Sequence, residues 1–148
     1  MTIKIRRVRE KDLDIVHNIE KNIYEKPWSK SFFRLMSKIA DELFIIAEKE
    51  SEIIGYSVGE VESRKRGKVG HLMNIAVKKA YRNQGIGTRL MDVMEARFKE
   101  KGASSSYLEV RASNHNAQKL YRKRGYLYVR RVKNYYGDED AFVMTKKL

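Results

Sequence analysis

The sequence contains no cysteine. That excludes disulfides, thiolate zinc sites and a cysteine nucleophile, so no acyl-cysteine can form on this chain. Histidine is scarce too: the three residues His17, His71 and His115 are too scattered to match a metal-binding motif, and no metal is expected. There is one proline, Pro27, and no apolar run long enough to span a bilayer, so no membrane association is expected. The segment Met1-Thr2-Ile3-Lys4-Ile5 lacks the hydrophobic stretch of a secretion signal, which makes the cytoplasm the expected location. Acidic residues are in deficit, 19 against 32 Lys and Arg, for a formal charge of +13. Such an excess fits either an anionic partner or a lysine-rich surface. It is uneven: Lys119 to Lys133 holds seven basic residues and no acidic one, and Arg64-Lys65-Arg66-Gly67-Lys68 forms a second cluster. A nucleotide cofactor and ribosomal RNA would both be attracted, and charge does not choose between them.

What is present reads as one globular domain over residues 1–148, with 42% apolar and 34% charged residues. Ile3 to Val8 alternates as a strand. From about Asp12, Leu13, Val16, Ile19 and Ile23 follow helical spacing up to Pro27. Ser29 is placed to cap a second helix carrying Phe32, Phe33 and Met36. Strand patterns follow at Leu43 to Ala47, Ile53 to Val61 and His71 to Val77. The last is nearly all apolar, as expected of a strand covered on both faces. A glycine-bearing loop then opens a helix with Ile86, Leu90, Met94 and Phe98 on one side, ended near Gly102. Tyr107 to Val110 reads as a strand, Asn114 to Gly125 as a capped helix, and Leu127 to Tyr136 and Ala141 to Met144 as closing strands. The order is β-α-α-β-β-β-α-β-α-β-β, an α/β (α+β) arrangement.

The segment Arg82-Asn83-Gln84-Gly85-Ile86-Gly87-Thr88 follows a strand and opens a helix. Helix N-termini present unpaired N–H groups and partial positive charge, which suits phosphates. Gly85 and Gly87 let the backbone approach a pyrophosphate, and Arg82 adds a charged donor. Glycines in an ordinary turn would look the same. The Gly-Lys-Ser/Thr of a Walker A loop is missing, and Arg89 stands about where a dinucleotide fingerprint has its third glycine.

Ile75-Ala76-Val77 with Tyr81-Arg82-Asn83-Gln84-Gly85-Ile86-Gly87-Thr88 resembles the acetyl-CoA motif of the GNAT N-acetyltransferase superfamily. Leu108-Glu109-Val110-Arg111-Ala112-Ser113-Asn114 and Ala117-x-x-Leu120-Tyr121-Arg122-Lys123-x-Gly125-Tyr126 resemble the segment completing that site. Asn134-Tyr135-Tyr136-Gly137-Asp138-Glu139-Asp140-Ala141 is similar to the C-terminal signature of RimI-like and Ard1-like protein N-terminal acetyltransferases. Pro27-Trp28-Ser29 is closer to the RimI-like, ribosomal-protein-alanine branch. The resemblance spans essentially the whole chain. It implies a GNAT fold: one mixed, mostly antiparallel seven-stranded sheet flanked by four helices.

The resemblance also implies direct acetyl transfer from acetyl-CoA to the α-amine of a protein or peptide N-terminus, with ribosome association as one option. Glu109 matches the general base, with pairing to Arg111 or a neighbouring lysine as its plainer reading. His71 is a second candidate for holding a relay water, and a structural imidazole otherwise. Tyr121 matches the acid for the leaving thiolate. Ile75, Ala76 and Val77 would receive the pantetheine arm, Arg82 to Thr88 the phosphates, and Asn114 would touch the cofactor. Tyr24 and Trp28 on one side and Tyr135 and Tyr136 on the other would line the acceptor groove. Either tyrosine of the second pair could instead be packed on a sheet. The Ard1-like loop glutamate has no match, although Glu25 is near, so the preferred first residue of the acceptor stays open. Two other functions are consistent with the composition. One is acetylation of a small amine such as a polyamine or aminoglycoside, if Asp138, Glu139 and Asp140 make the groove acidic. The other is a non-enzymatic RNA- or ribosome-binding module.

Overall fold

The computed structural model describes residues 2–148. Seven strands form one sheet in the order β1-β2-β3-β4-β5-β7-β6. They are β1 Ile3–Arg7, β2 Phe44–Lys49, β3 Glu52–Arg64, β4 Gly67–Val77, β5 Ala103–Arg111, β6 Leu127–Val132 and β7 Ala141–Lys147. Four α-helices join them: α1 Leu13–Ile23, α2 Lys30–Ile39, α3 Ile86–Glu100 and α4 His115–Lys123. Every neighbouring pair is antiparallel except β4 with β5. The expected element order, fold class and mostly antiparallel sheet are therefore all present.

Capping chemistry sets the helix limits. Ser29 Oγ accepts the Phe32 N–H at 3.1 Å, and Asn114 Oδ1 accepts the Ala117 N–H at 3.1 Å, as their positions predict. Gly102 and Gly125 follow the ends of α3 and α4 with φ of +92° and +98°, where a side chain would be strained. α1 stops at Ile23, four residues before Pro27, and Tyr24 is already extended.

α3 buries Ile86, Leu90, Met91, Met94 and Phe98 against β3 and β4. Phe98 fits because two strand positions lack side chains. A Cβ on Gly70 would lie 2.3 Å from its ring, and one on Gly59 2.8 Å away. Burying such a ring contributes roughly 1.5–3 kcal/mol. α1 and α2 bring Leu13, Val16, Ile19, Phe33 and Met36 into the same core.

Three features of the sheet go beyond the sequence reading or depart from it. The β3–β4 ladder continues to the Arg64–Gly67 pair, so both strands run past their apolar stretches into the basic cluster; Gly67, at φ +121°, permits that tight turn. Along the same ladder Val58 pairs with Asn74 and Gly59 with Leu72, leaving Met73 as an extra residue, a bulge that reverses the side-chain alternation of β4. Finally, β4 and β5 separate. Their pairing ends at Leu72–Leu108, while β4 continues to Val77 and β5 to Arg111. β4 is consequently not enclosed along its whole length: Met73, Ile75 and Val77 are only half-buried.

Candidate active site

The splay between β4 and β5 leaves main-chain groups of β4 without a strand partner. One is taken by a side chain: the Tyr24 hydroxyl, arriving from the segment between α1 and α2, donates to the Ile75 carbonyl at 3.0 Å. Beyond Val77 the chain turns into the glycine loop. Arg82 Nε donates to the Val77 carbonyl at 3.2 Å and anchors the guanidinium there. Asn83 and Gly85 have φ of +62° and +78°, a left-handed geometry that Gly and Asn tolerate best. The first helical bond of α3 runs from the Arg89 N–H to the Gly85 carbonyl at 3.0 Å, so the preceding amides lack an intrahelical acceptor. No acidic residue stands in that first turn. A Cβ built on Gly85 or Gly87 would meet no atom within 4 Å. Free amides, open space and no opposing charge fit a pyrophosphate.

On β5, Glu109 reaches across to β4. Its Oε1 lies 2.7 Å from His71 Nε2, and both side chains are 14% exposed. The plainer expectation for Glu109, pairing with Arg111, is not what the fold builds. Arg111 contacts Glu139 at 3.1 Å and Asp138 at 3.5 Å, and lies 4.3 Å over the Tyr136 ring. His71 stacks on Tyr107 with centroids 4.3 Å apart. Its Nδ1 lies 3.4 Å from Glu62 and 3.7 Å from Glu60. Burial opposes its protonation, but the Glu109 hydrogen bond and the charges of Glu109, Glu62 and Glu60 outweigh it and hold the imidazole above its ordinary value.

Tyr121, on the inner face of α4, is 9% exposed. Burial alone pushes its phenol up to about 12. Tyr121 in turn contributes to the raised values of Tyr24 and Tyr136 nearby.

Tyr135 and Tyr136 are not in a strand. β6 ends at Val132, because the loop before β7 satisfies its own main chain. The Asn134 N–H donates to Asp140 Oδ1 at 2.9 Å, the Tyr136 N–H to the Glu139 carbonyl at 3.1 Å and the Gly137 N–H to the Asn134 carbonyl at 2.9 Å. The two rings meet edge to face at 4.9 Å. Burial raises both phenols, and the Glu109 charge adds to the rise; the loop lies against β5, with the Arg111 guanidinium over the Tyr136 ring. From the segment between α1 and α2, Lys26 Nζ reaches the Tyr136 carbonyl at 3.5 Å. Trp28 packs on Phe32 and Phe33, with centroids 4.7 and 5.4 Å apart.

The fold thus gathers Tyr24, His71, Glu109, Tyr121, Tyr135 and Tyr136 around the splay. Arg82 to Thr88 lie beyond the end of β4. Asn114 is exposed, with its Oδ1 spent on the cap. Composition gave no hint that Glu60, Glu62 and Tyr107 would surround His71. Together with His71 the two glutamates bring ligand-type atoms within 4.8 Å of one another, a grouping that the scattered histidines do not suggest. Glu20 was also missed, although a carboxylate beside Val16 and Ile19 on an apolar helical stripe is a readable signal.

The pattern of the acetyltransferase (GNAT) family matches residues 13–126. An N-alpha-acetyltransferase of Sulfurisphaera tokodaii is 35% identical over 155 residues, covering 98% of this chain and 93% of the relative. The ribosomal-protein-S18-alanine N-acetyltransferase of Escherichia coli superposes with a TM-score of 0.83 at 27% identity, covering 99% of this chain and 94% of that one. Chaetomium thermophilum Naa20, in complex with a bisubstrate analogue, gives a TM-score of 0.90 at 29% identity, covering 98% and 86%. With the splayed strands, the open glycine loop and this match over most of its length, the chain belongs to the GNAT family of acetyltransferases, enzymes that transfer the acetyl group of acetyl-CoA to an amine.

Proposed function

We propose that this chain is a cytoplasmic, single-domain enzyme that acetylates the α-amino group of protein or peptide N-termini, ribosomal proteins being one acceptor class. The observation that carries this reading is the approach of the segment between α1 and α2 to Tyr136, where Lys26 Nζ reaches the Tyr136 carbonyl at 3.5 Å. Tyr24 and Trp28 on that segment, and Tyr135 beside Tyr136, would line the cleft between them. A cleft bridged in this way suits the narrow end of an extended chain. The N-alpha-acetyltransferase relative at 35% identity supports the same acceptor.

Acetyl-CoA, when bound, supplies an acetyl group activated as a thioester. The unpaired main chain of β4 around Ile75, Ala76 and Val77 would bind its pantetheine arm, the amides of Gln84 to Thr88 with Arg82 its phosphates, and Asn114 its outer edge. An α-amine has a pKa of about 8, so on the order of a tenth is neutral at pH 7. The base therefore has a modest task. Glu109 and His71, in contact at 2.7 Å, act as a pair that takes the proton from the amine directly or through water. Tyr121 keeps its proton through the neutral range and holds it for the departing sulfur.

Small polycations are less well served. Asp138 and Glu139 are engaged by Arg111, and Asp140 by Arg131 at 2.6 Å, so the carboxylates that would make the rim acidic are neutralised. Part of the basic run is likewise paired, Arg124 with Asp92 and Glu95, which weakens the case for a dedicated RNA surface. Acetyl-CoA turnover should be measured with free-amine peptides, the same peptides N-terminally blocked, spermidine and an aminoglycoside. Turnover with free-amine peptides alone is expected. Turnover of spermidine alone, or salt-sensitive RNA binding with no turnover, would replace the proposal.

The loop makes a separate prediction. Gly87 lies in the first turn of α3, where Ala is favoured by roughly 0.5–1 kcal/mol, and an added Cβ would meet no protein atom within 4 Å. Gly87→Ala is expected to melt at the same or a higher temperature while the KM for acetyl-CoA rises. An unchanged KM would place the phosphates elsewhere.

A further inference from the structure

Glu20 lies on the inward face of α1 and is 2% exposed. Its contacts divide between its two oxygens. Oε1 accepts the Tyr56 hydroxyl of β3, in a very short contact, and Asn74 Nδ2 of β4 at 2.8 Å. Oε2 accepts the main-chain N–H of Trp28 at 2.9 Å. Every partner is a donor, an arrangement that an acceptor-only carboxylate satisfies and that glutamine meets only by turning an NH2 toward one of them. Among the described residues Glu20 forms no salt bridge to Lys, Arg or His. Burying a carboxylate without a cation is costly, and an apolar residue of similar volume often packs as stably. Stability alone does not account for this choice.

The geometry does. Oε1 grips the two central strands, and its β4 partner immediately precedes Ile75, whose carbonyl receives the Tyr24 hydroxyl at 3.0 Å. Oε2 grips the segment between α1 and α2, which has no regular structure from Tyr24 to Ser29 and is also held by Tyr24, by the Lys26 contact to Tyr136, by the Ser29 cap and by the packing of Trp28. One carboxylate therefore ties this irregular segment to the strand beside the splay.

We propose that Glu20 is a positioning residue: by bridging Trp28 to Asn74 and Tyr56, it sets the spacing between the acceptor wall and the acetyl-CoA strand. This rests on the reading of Tyr24 to Trp28 as the acceptor wall. Loosening the bridge leaves the glycine loop intact, so the acceptor, not acetyl-CoA, should feel its loss.

Glu20→Gln is to be compared with Glu95→Gln. Glu95 is a buried carboxylate of α3, 8% exposed, held by Tyr126 at 3.0 Å and Lys146 at 2.7 Å, and remote from the wall. Trp28 is the only tryptophan in the chain, so its fluorescence reports the wall without any turnover. Glu20→Gln should shift the emission to longer wavelength, increase acrylamide quenching and raise the acceptor KM roughly tenfold, as expected for loss of a hydrogen bond to a charged group. The acetyl-CoA dissociation constant should stay within about twofold, the scale of a near-neutral change. Glu95→Gln should lower the melting temperature and leave both the Trp28 signal and the acceptor KM unmoved. Tyr56→Phe removes one donor without touching the carboxylate; it should move fluorescence and acceptor KM in the same direction by less, and it serves if Glu20→Gln does not fold. Unchanged Trp28 quenching in a folded Glu20→Gln protein, or equal acceptor effects from Glu20→Gln and Glu95→Gln, would overturn the proposal. If the native protein acetylates no free-amine peptide, the acceptor reading fails instead, and the fluorescence comparison still decides whether the bridge exists.

Discussion

Tyr121→Phe is expected to lower kcat about a hundredfold or more, with the KM for acetyl-CoA nearly unchanged. The substitution removes one oxygen from a buried ring and keeps its packing against Tyr126, whose centroid is 6.2 Å away. On the role proposed for Tyr121, what it removes is the proton that the departing sulfur would take. General acids of this kind contribute about 10²–10⁴-fold. Burial pushes the phenol up to about 12, so it stays protonated over the whole working range. The native pH profile should accordingly show no fall due to Tyr121 through the neutral and mildly alkaline range, and Tyr121→Phe should lower the rate by the same factor at each pH in that range. Stopped-flow measurement of a single turnover separates this from product release. Full single-turnover activity in the Phe variant would assign the proton to another donor, and Tyr24 would be examined next.

The second large effect concerns Glu109 and His71. An isolated glutamate, with a pKa near 4.3, is a weak base for an ammonium near 8. Held by Glu109 at 2.7 Å, the His71 imidazole keeps its proton to higher pH than an ordinary one. The sign follows. With neutral His71 as the proton acceptor of the proposed mechanism, kcat/KM should rise with pH as the raised imidazole gives up its proton. Glu109→Gln removes the partner that holds the proton there, and the acid limb should move to lower pH as His71 becomes a weaker base. Each of Glu109→Gln and His71→Ala is expected to cost roughly ten- to a hundredfold in kcat, toward the low end for general bases because part of the amine is already neutral. The double variant should be little worse than either single one, because groups that act as a unit are strongly non-additive. Multiplicative losses would mean two independent roles. An unaffected Glu109→Gln rate would remove the carboxylate from the mechanism.

Much of this was legible because it depends on local chemistry. The caps at Ser29 and Asn114, the glycines past α3 and α4, and the apolar stripe of α3 are consequences of near neighbours in the chain. Tyr135 and Tyr136 read as strand because aromatic residues suit strands; they lie in a loop that bonds its own backbone through Asp140 and Glu139, which periodicity does not register. The uniformly apolar Ile75 to Val77 region suggested enclosure on both faces. In the fold its neighbouring strand turns away, and that divergence is where the site is made.

By itself, the sequence determined the order of elements, the phosphate-suited loop from Arg82 to Thr88 and the exclusion of cysteine chemistry, since each follows from residue type and short spacing. Tertiary structure alone decided that Glu109 meets His71 across 38 residues, that Arg111 is spent on Asp138 and Glu139, and that Glu20 joins Trp28 to Asn74 across 46 more residues of chain. The physical reason is register: the parallel pairing of β4 with β5 places His71 opposite Tyr107, two residues before Glu109, and no local pattern encodes which strands will lie side by side.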